Sequence, residues 1–225
     1  MRILFAILRV LVAGAVVAAI VAQLIRSIEN WTAAGVKNMP LAIVNFFSFF
    51  TIESNVATVV ILLIGAALLV TRKGADPHWF TVLHGAIVTY MVVTGVVYNL
   101  LLRNVELPQG ATVPWSNEIL HVVAPIWMLL DWVLAPGRSP ISWRALWGYL
   151  VFPIVWVIYT LVRGPFTPNE LKGEPYWYPY PFLNPHLSPN GYLSVAFYVI
   201  MIAAIIGLAA AGVIWVSKRK AILKG

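Results

Sequence analysis

Two polar stretches stand inside otherwise apolar runs, and they carry the side chains best suited to chemistry. The first reads Asn45-Phe46-Phe47-Ser48-Phe49-Phe50-Thr51-Ile52-Glu53-Ser54-Asn55. On a helix turning about 100° per residue, Asn45, Ser48, Thr51 and Asn55 fall within about a third of the circumference, a polar stripe turned toward other helices. Small polar residues of this kind also hold transmembrane helices together, but the hydroxyls of Ser48 and Thr51 and the carboxylate of Glu53 add reactive groups. The second stretch reads Trp115-Ser116-Asn117-Glu118-Ile119-Leu120-His121-Val122-Val123-Ala124-Pro125. Asn117 and Glu118 precede His121 by four and three residues, so either shares its helix face and can hold the imidazole in one tautomer. Pro125 has no N–H and leaves the His121 carbonyl without its usual backbone donor. That arrangement suits a general base.

The elements that must position these residues are membrane spans. The chain has 225 residues, 61% hydrophobic and 10% charged, with a mean hydropathy of +0.86. Soluble domains are about 45–50% apolar and about 25% charged, so a water-soluble enzyme is excluded, and 13% aromatic residues exclude disorder. With no cysteine, thiol nucleophiles, disulfides and thiolate metal sites are excluded too. A span needs roughly 20 apolar residues, and six stretches qualify: 4–25, 41–70, 79–102, 116–135, 143–163 and 192–216. The predicted fold is an all-α polytopic helix bundle forming a single transmembrane domain. The first span also resembles a signal peptide, and a retained helix is expected. Segment 164–191 is broken by seven prolines and rich in aromatic residues, so it reads as a loop.

Basic residues set the expected orientation, because cytoplasmic loops retain Lys and Arg. Nine lie at the termini and even-numbered loops (Arg2, Arg72, Lys73, Arg138, Arg144, Lys218, Arg219, Lys220 and Lys224) against five in the odd loops (Arg26, Lys37, Arg103, Arg163 and Lys172). Both termini are therefore expected in the cytoplasm of a cell-membrane protein, with Glu29, Glu106, Glu170 and Glu174 on the other side. A net charge of +7 then reports orientation, and no nucleic-acid partner is expected. Ionisable residues within the spans are Arg9, Glu53, His84, Glu118, His121 and Asp131. Arg9 is expected to snorkel or to pair with Asp131, and His84 to hydrogen-bond to a neighbouring helix. Measured from the span ends, Thr51 lies roughly 16 Å deep and His121 roughly 9 Å. A second span of about 45 Å exceeds the hydrocarbon thickness, so its first turns are expected to stand above the membrane and raise Thr51 toward His121. Tyr98 is level with the pair, and residues 176–182 cap the same side.

Three blocks give the chain a resemblance to a known family: Phe49-Phe50-Thr51 with Asn55, Asn117-x-x-x-His121-x-x-x-Pro125, and Tyr176-Trp177-Tyr178-Pro179 with Pro181-Phe182-Leu183. They resemble the androgen-induced and androgen-dependent family of six-span membrane hydrolases and its bacterial relatives. Ile52 and Ser54 stand where animal members carry an aromatic residue and an asparagine. The resemblance implies cleavage of fatty acid esters of hydroxy fatty acids, with Thr51 as nucleophile and His121 as base. On that reading His121 takes the Thr51 proton, an acyl-threonine forms, and water hydrolyses it. Ser48, Asn55 and Tyr98 are the expected oxyanion donors, Asn117 and Glu118 the expected support for His121. Phe47 and Phe50, with Tyr176 and Trp177, are the expected substrate contacts. No cofactor or metal is implied. Two other classes compete. A transporter would use Glu53, Glu118, His121 and Asp131 as relay groups, although the sequence shows no internal repeat. A haem protein needs level histidines, and His84 and His121 are expected in opposite halves of the membrane. A non-catalytic scaffold is the bland alternative.

Overall fold

The computed structural model describes residues 1–103, 105 and 111–219. Of the residues used above to orient the chain, Glu106, Lys220 and Lys224 lie outside the described residues. Among the described residues every regular element is helical, apart from one isolated bridge between Asn169 and Glu174. The helices are α1 (Arg2–Ala33), α2 (Met39–Phe47), α3 (Phe50–Thr71), α4 (His78–Leu102), α5 (Pro114–Leu134), α6 (Ala145–Arg163) and α7 (Tyr192–Ser217). All except α2 are long and apolar enough to cross a membrane, giving the six crossings the hydropathy predicts.

The expected second span is not one helix. It divides into α2 and α3, with Phe49 in an extended conformation at φ −71° and ψ 129°. The 22 residues of α3 rise about 33 Å, which matches the hydrocarbon thickness better than a continuous rod of about 45 Å. Asn38 caps α2, its side chain accepting the Leu41 N–H at 3.1 Å. The polar stripe drawn through Asn45, Ser48, Thr51 and Asn55 is therefore corrected, since residues on either side of Phe49 do not share one helical face.

α1 shows how a crossing sorts its side chains. Its buried residues include Phe5, Arg9, Ala13, Val16, Ile20, Gln23, Ser27 and Trp31, a stripe at three- and four-residue spacing that packs on α3. Leu4, Ile7, Leu11, Val21 and Ile25 face outward. α4 is the most enclosed crossing, with 67% of its apolar window inside the molecule, whereas α6 and α7 have 22% each. α4 contacts α3, α5 and α7, and α6 packs on α7 at the bundle edge.

The start of α1 and the end of α7 lie on one face. Arg2 donates to the carbonyls of Leu69 and Gly74 at 3.2 and 3.1 Å, and Arg138 to that of Arg219 at 3.3 Å. Just inside this face Arg9 and Asp131 form a bidentate ion pair, with contacts of 3.0 and 2.9 Å. The His84 Nε2 lies 3.3 Å from the same carboxylate. Arg9 and Asp131 are 2% and 1% exposed, so the pairing expected from the sequence is a fully buried one that ties α1, α4 and α5 together. The opposite face carries α2 and the loop 164–191, and it is there that the candidate residues gather.

Candidate functional site

The break at Phe49 is held by aromatic side chains from distant segments. The Phe49 ring meets Trp177 and Tyr180 edge-on, with centroids 5.7 and 5.5 Å apart. Helix ends expose carbonyls and amides that need partners, and here side chains supply them. The Trp156 indole N–H donates to the Ser48 carbonyl at 3.0 Å. The Thr51 backbone N–H, left free in the first turn of α3, donates to the Tyr180 hydroxyl oxygen at 3.2 Å. The Thr51 Oγ1 also lies 3.2 Å from that hydroxyl oxygen. Burial pushes the Tyr180 phenol up to about 12, against the opposing effect of its bonds to Thr51. It is neutral across the physiological range.

Thr51 and Tyr180 are among the polar residues lining a cavity of about 210 Å³. Its walls are apolar, built by Val93 and Val97 of α4, Leu150 and Val157 of α6, and Ile202 and Ile206 of α7. Phe50, Phe182 and Leu183 close it on the side of the loop, and Tyr98 and Thr94 are its other polar lining residues. A largely apolar pocket with a few convergent polar groups is the usual form of a small-molecule site. The cavity lies against α6 and α7, the two least enclosed crossings.

His121 stands beside this cavity in a distorted turn. Residues Ile119–Val123 form a π turn, with the Ala124 N–H reaching the Ile119 carbonyl. The cause is Pro125, which offers no N–H to His121. Gly95 lets the helices close on that notch. A Cβ there would lie 3.0 Å from the Pro125 Cβ and 3.4 Å from the His121 carbonyl oxygen. One turn further along, Tyr98 opens a second π turn, Tyr98–Leu102. Its ring stacks on His121 at 4.2 Å and 25°.

The imidazole is oriented through Nδ1, 2.9 Å from the Asn117 carbonyl. A carbonyl can only accept, so Nδ1 carries the proton and Nε2 presents the lone pair of a base. Nε2 makes no hydrogen bond among the described residues. The tautomer is thus set by the Asn117 backbone, whereas its side chain donates to the Tyr98 hydroxyl at 2.6 Å. Glu118, expected as support, turns away and pairs with Arg103 at 3.2 Å on the exposed rim.

Thr51 and His121 share no hydrogen bond, and the link between their helices is Asn55. Asn55, one turn beyond Thr51, donates to the carbonyls of Thr51 at 2.9 Å and of Leu120 at 3.1 Å. That places the turn after Thr51 level with the residue before His121, and Thr51 about 6 Å nearer the α2 face. Tyr98 touches both sides, lining the cavity and stacking on the imidazole.

The other sequence-predicted positions divide. Phe50 lines the cavity, but Phe47 is 41% exposed on α2 and lies outside its lining. Trp177 is buried behind Phe49, and Tyr176 stacks on His186 at 3.9 Å; neither lines the cavity. Ser48 is committed to the Val44 carbonyl at 2.7 Å and the Tyr159 hydroxyl at 2.9 Å. Glu53 has a buried carboxylate oxygen without a hydrogen-bond partner among the described residues. The residue that sequence reasoning passed over is Tyr180. Its only signal was its place in the aromatic run Tyr176–Phe182. No group of three His, Cys, Asp or Glu residues with metal-binding geometry occurs among the described residues. Compared with known proteins, the chain matches no family model, no curated protein and no solved structure.

Proposed function

We propose that this protein is an intramembrane hydrolase of lipid esters, with Thr51 as nucleophile and His121 as base. The observation that carries the reading is the apolar cavity of about 210 Å³ lined by Thr51. Its walls suit an acyl chain, and its position against α6 and α7 suits access from the lipid phase. With the basic face in the cytoplasm, the site opens toward the opposite leaflet of the cell membrane.

In the proposed reaction the Thr51 Oγ1 attacks the ester carbonyl as its proton passes to the His121 Nε2. Transfer runs through water across the offset of about 6 Å. The Thr51 Oγ–carbon bond forms, the bond to the leaving alkoxide breaks, and His121 returns the proton to that alkoxide. Water then repeats the sequence on the acyl-threonine, releasing fatty acid and restoring the hydroxyl. The resemblance to the androgen-induced and androgen-dependent hydrolases, with Thr51, Asn117, His121 and Pro125 in their motif positions, supports the same substrate class, fatty acid esters of hydroxy fatty acids.

The test is direct. Purified protein in detergent releases free fatty acid from such an ester, and a fluorophosphonate labels Thr51. Thr51→Ala abolishes both, and His121→Ala abolishes turnover. Full activity in either variant, with its fold intact by circular dichroism, refutes the assignment.

A further inference from the structure

The Thr51 and Tyr180 hydroxyls share one hydrogen bond but own two protons. The Tyr180 oxygen accepts the Thr51 N–H, and the contact of 3.2 Å between the hydroxyls uses a single proton in either direction. Neither hydroxyl has a further acceptor among the described residues, so one O–H is left over. Both residues line the cavity and are about 95% buried, at 6% and 5% exposure. A buried donor without an acceptor is costly. Here the remaining position for an acceptor is the cavity itself.

We propose that Tyr180 is the oxyanion donor of this site, a third catalytic residue that carries the free first-turn amide of α3 to the substrate through its own hydroxyl. The inference rests on the hydrolase reading above. Once Thr51 has attacked, its Oγ is an ester oxygen with no proton to give. The Tyr180 O–H is then released to the other oxygen on the same carbon, where negative charge collects. A donor already 3.2 Å from the nucleophilic oxygen needs only a small swing to reach it. The Thr51 N–H donating into the phenol oxygen polarises the O–H and strengthens its outgoing bond. Of the side chains expected for this task, Ser48 is tied to Val44 and Tyr159 and Asn55 to Thr51 and Leu120, whereas Tyr98 accepts from Asn117 and keeps its O–H but makes no hydrogen bond to Thr51. The phenol gives a hydrogen bond rather than its proton, in keeping with a group that burial holds neutral.

Tyr180→Phe tests this while keeping the ring that packs on Phe49 and Phe182. Losing one oxyanion donor lowers kcat about 10²-fold or more. KM stays near the wild-type value, and affinity for a trifluoromethyl ketone, which forms the tetrahedral adduct, falls in parallel with kcat/KM. Binding of the corresponding fatty alcohol, which has no carbonyl, is unchanged. If wild type hydrolyses the ester and Tyr180→Phe keeps kcat within about threefold, this inference fails and the hydrolase stands. If wild type neither hydrolyses the ester nor is labelled at Thr51, both fall. Should Tyr180→Phe not fold, 3-fluorotyrosine at position 180 keeps the shape with a more acidic phenol, and an unchanged kcat and ketone affinity overturns the proposal.

Discussion

Removing the countercharge of Arg9 tests the packing that brings α1, α4 and α5 together. In wild type the guanidinium makes three contacts to Asp131, at 3.0, 3.2 and 2.9 Å, and both residues are almost fully buried. Asp131→Asn keeps the shape and still offers His84 an acceptor, but it leaves the Arg9 cation buried without a countercharge. Breaking one side of such a pair costs about 3–5 kcal/mol. Arg9→Met leaves the carboxylate with His84 alone and is expected in the same range. The double variant Arg9→Met with Asp131→Asn removes both charges of the pair and keeps the acceptor for His84. Its stability is expected to return to within about 1 kcal/mol of wild type, since replacing both members of a buried pair is often neutral. The measurement is unfolding in mixed micelles of mild detergent and sodium dodecyl sulfate, followed by circular dichroism. Single variants within about 1 kcal/mol of wild type, or a double variant no better than the singles, would refute the pair as a closed electrostatic unit.

Three further tests address other parts of the fold. A Cβ at Gly65 would strike the Arg9 Nη1 and lie 2.7 Å from the Phe80 Cζ, so Gly65→Ala is expected to lose about 1–3 kcal/mol in the same unfolding assay. Gly212→Ala, with nothing within 4 Å, is expected to lose nothing. A Cβ at Gly164 would enter the Tyr178 ring, 2.8 Å from Cδ1, beside the bond from the Trp177 N–H to the Gly164 carbonyl at 3.0 Å. Gly164→Ala is thus expected to speed proteolysis within 164–191 and to lower ester hydrolysis with it. Burial pushes the Asp76 carboxyl, in the loop between α3 and α4, above its usual value of 3.8, outweighing the pull of Arg9 and Arg2. The folded chain holds that proton more tightly than the unfolded chain. The stabilisation is present below the ordinary value and is lost as pH rises through the raised one. Relative to Asp76→Asn, wild type is expected to lose stability as pH rises from about 4 through the raised value, and a flat difference would overturn this.

Composition made the bundle legible, because each crossing needs its own long apolar run and each ion inside such a run needs a partner. Arg9 and Asp131 could be paired on paper for that reason, as the charges reaching depth from the same face. The break at Phe49 could not be read. Nothing in Phe47-Ser48-Phe49-Phe50 is a glycine or proline, and local propensity continues the helix. What stops it is tertiary, the wedge of Phe49 between Trp177 and Tyr180 and the Trp156 donor on the Ser48 carbonyl. The π turn at His121 was half visible, since Pro125 marks the missing bond without saying how the helix relaxes. Tyr180 was hidden among neighbouring aromatics, because an irregular loop has no period from which to tell an inward ring from an outward one.

The candidate site is made where helices depart from regularity, and the departures depend on one another. Were residues 48–51 continuous helix, the Thr51 N–H would bond to the Phe47 carbonyl four residues back and have nothing to give Tyr180. The Trp156 indole would lose the Ser48 carbonyl as a free acceptor, and the crossing would overrun the bilayer. The break therefore shortens the span and frees the amide in one step. On the facing side, the bond missing at Pro125 and the small Gly95 bring α4 and α5 close enough for Tyr98 to lie flat on His121. With the ring held there and Nδ1 tied to Asn117, the basic nitrogen has few orientations left. Unpaired backbone groups inside a membrane are tolerated only where protein or a cavity receives them. The Thr51 amide is received by Tyr180 at the cavity, and the turn at His121 meets the same cavity through Tyr98.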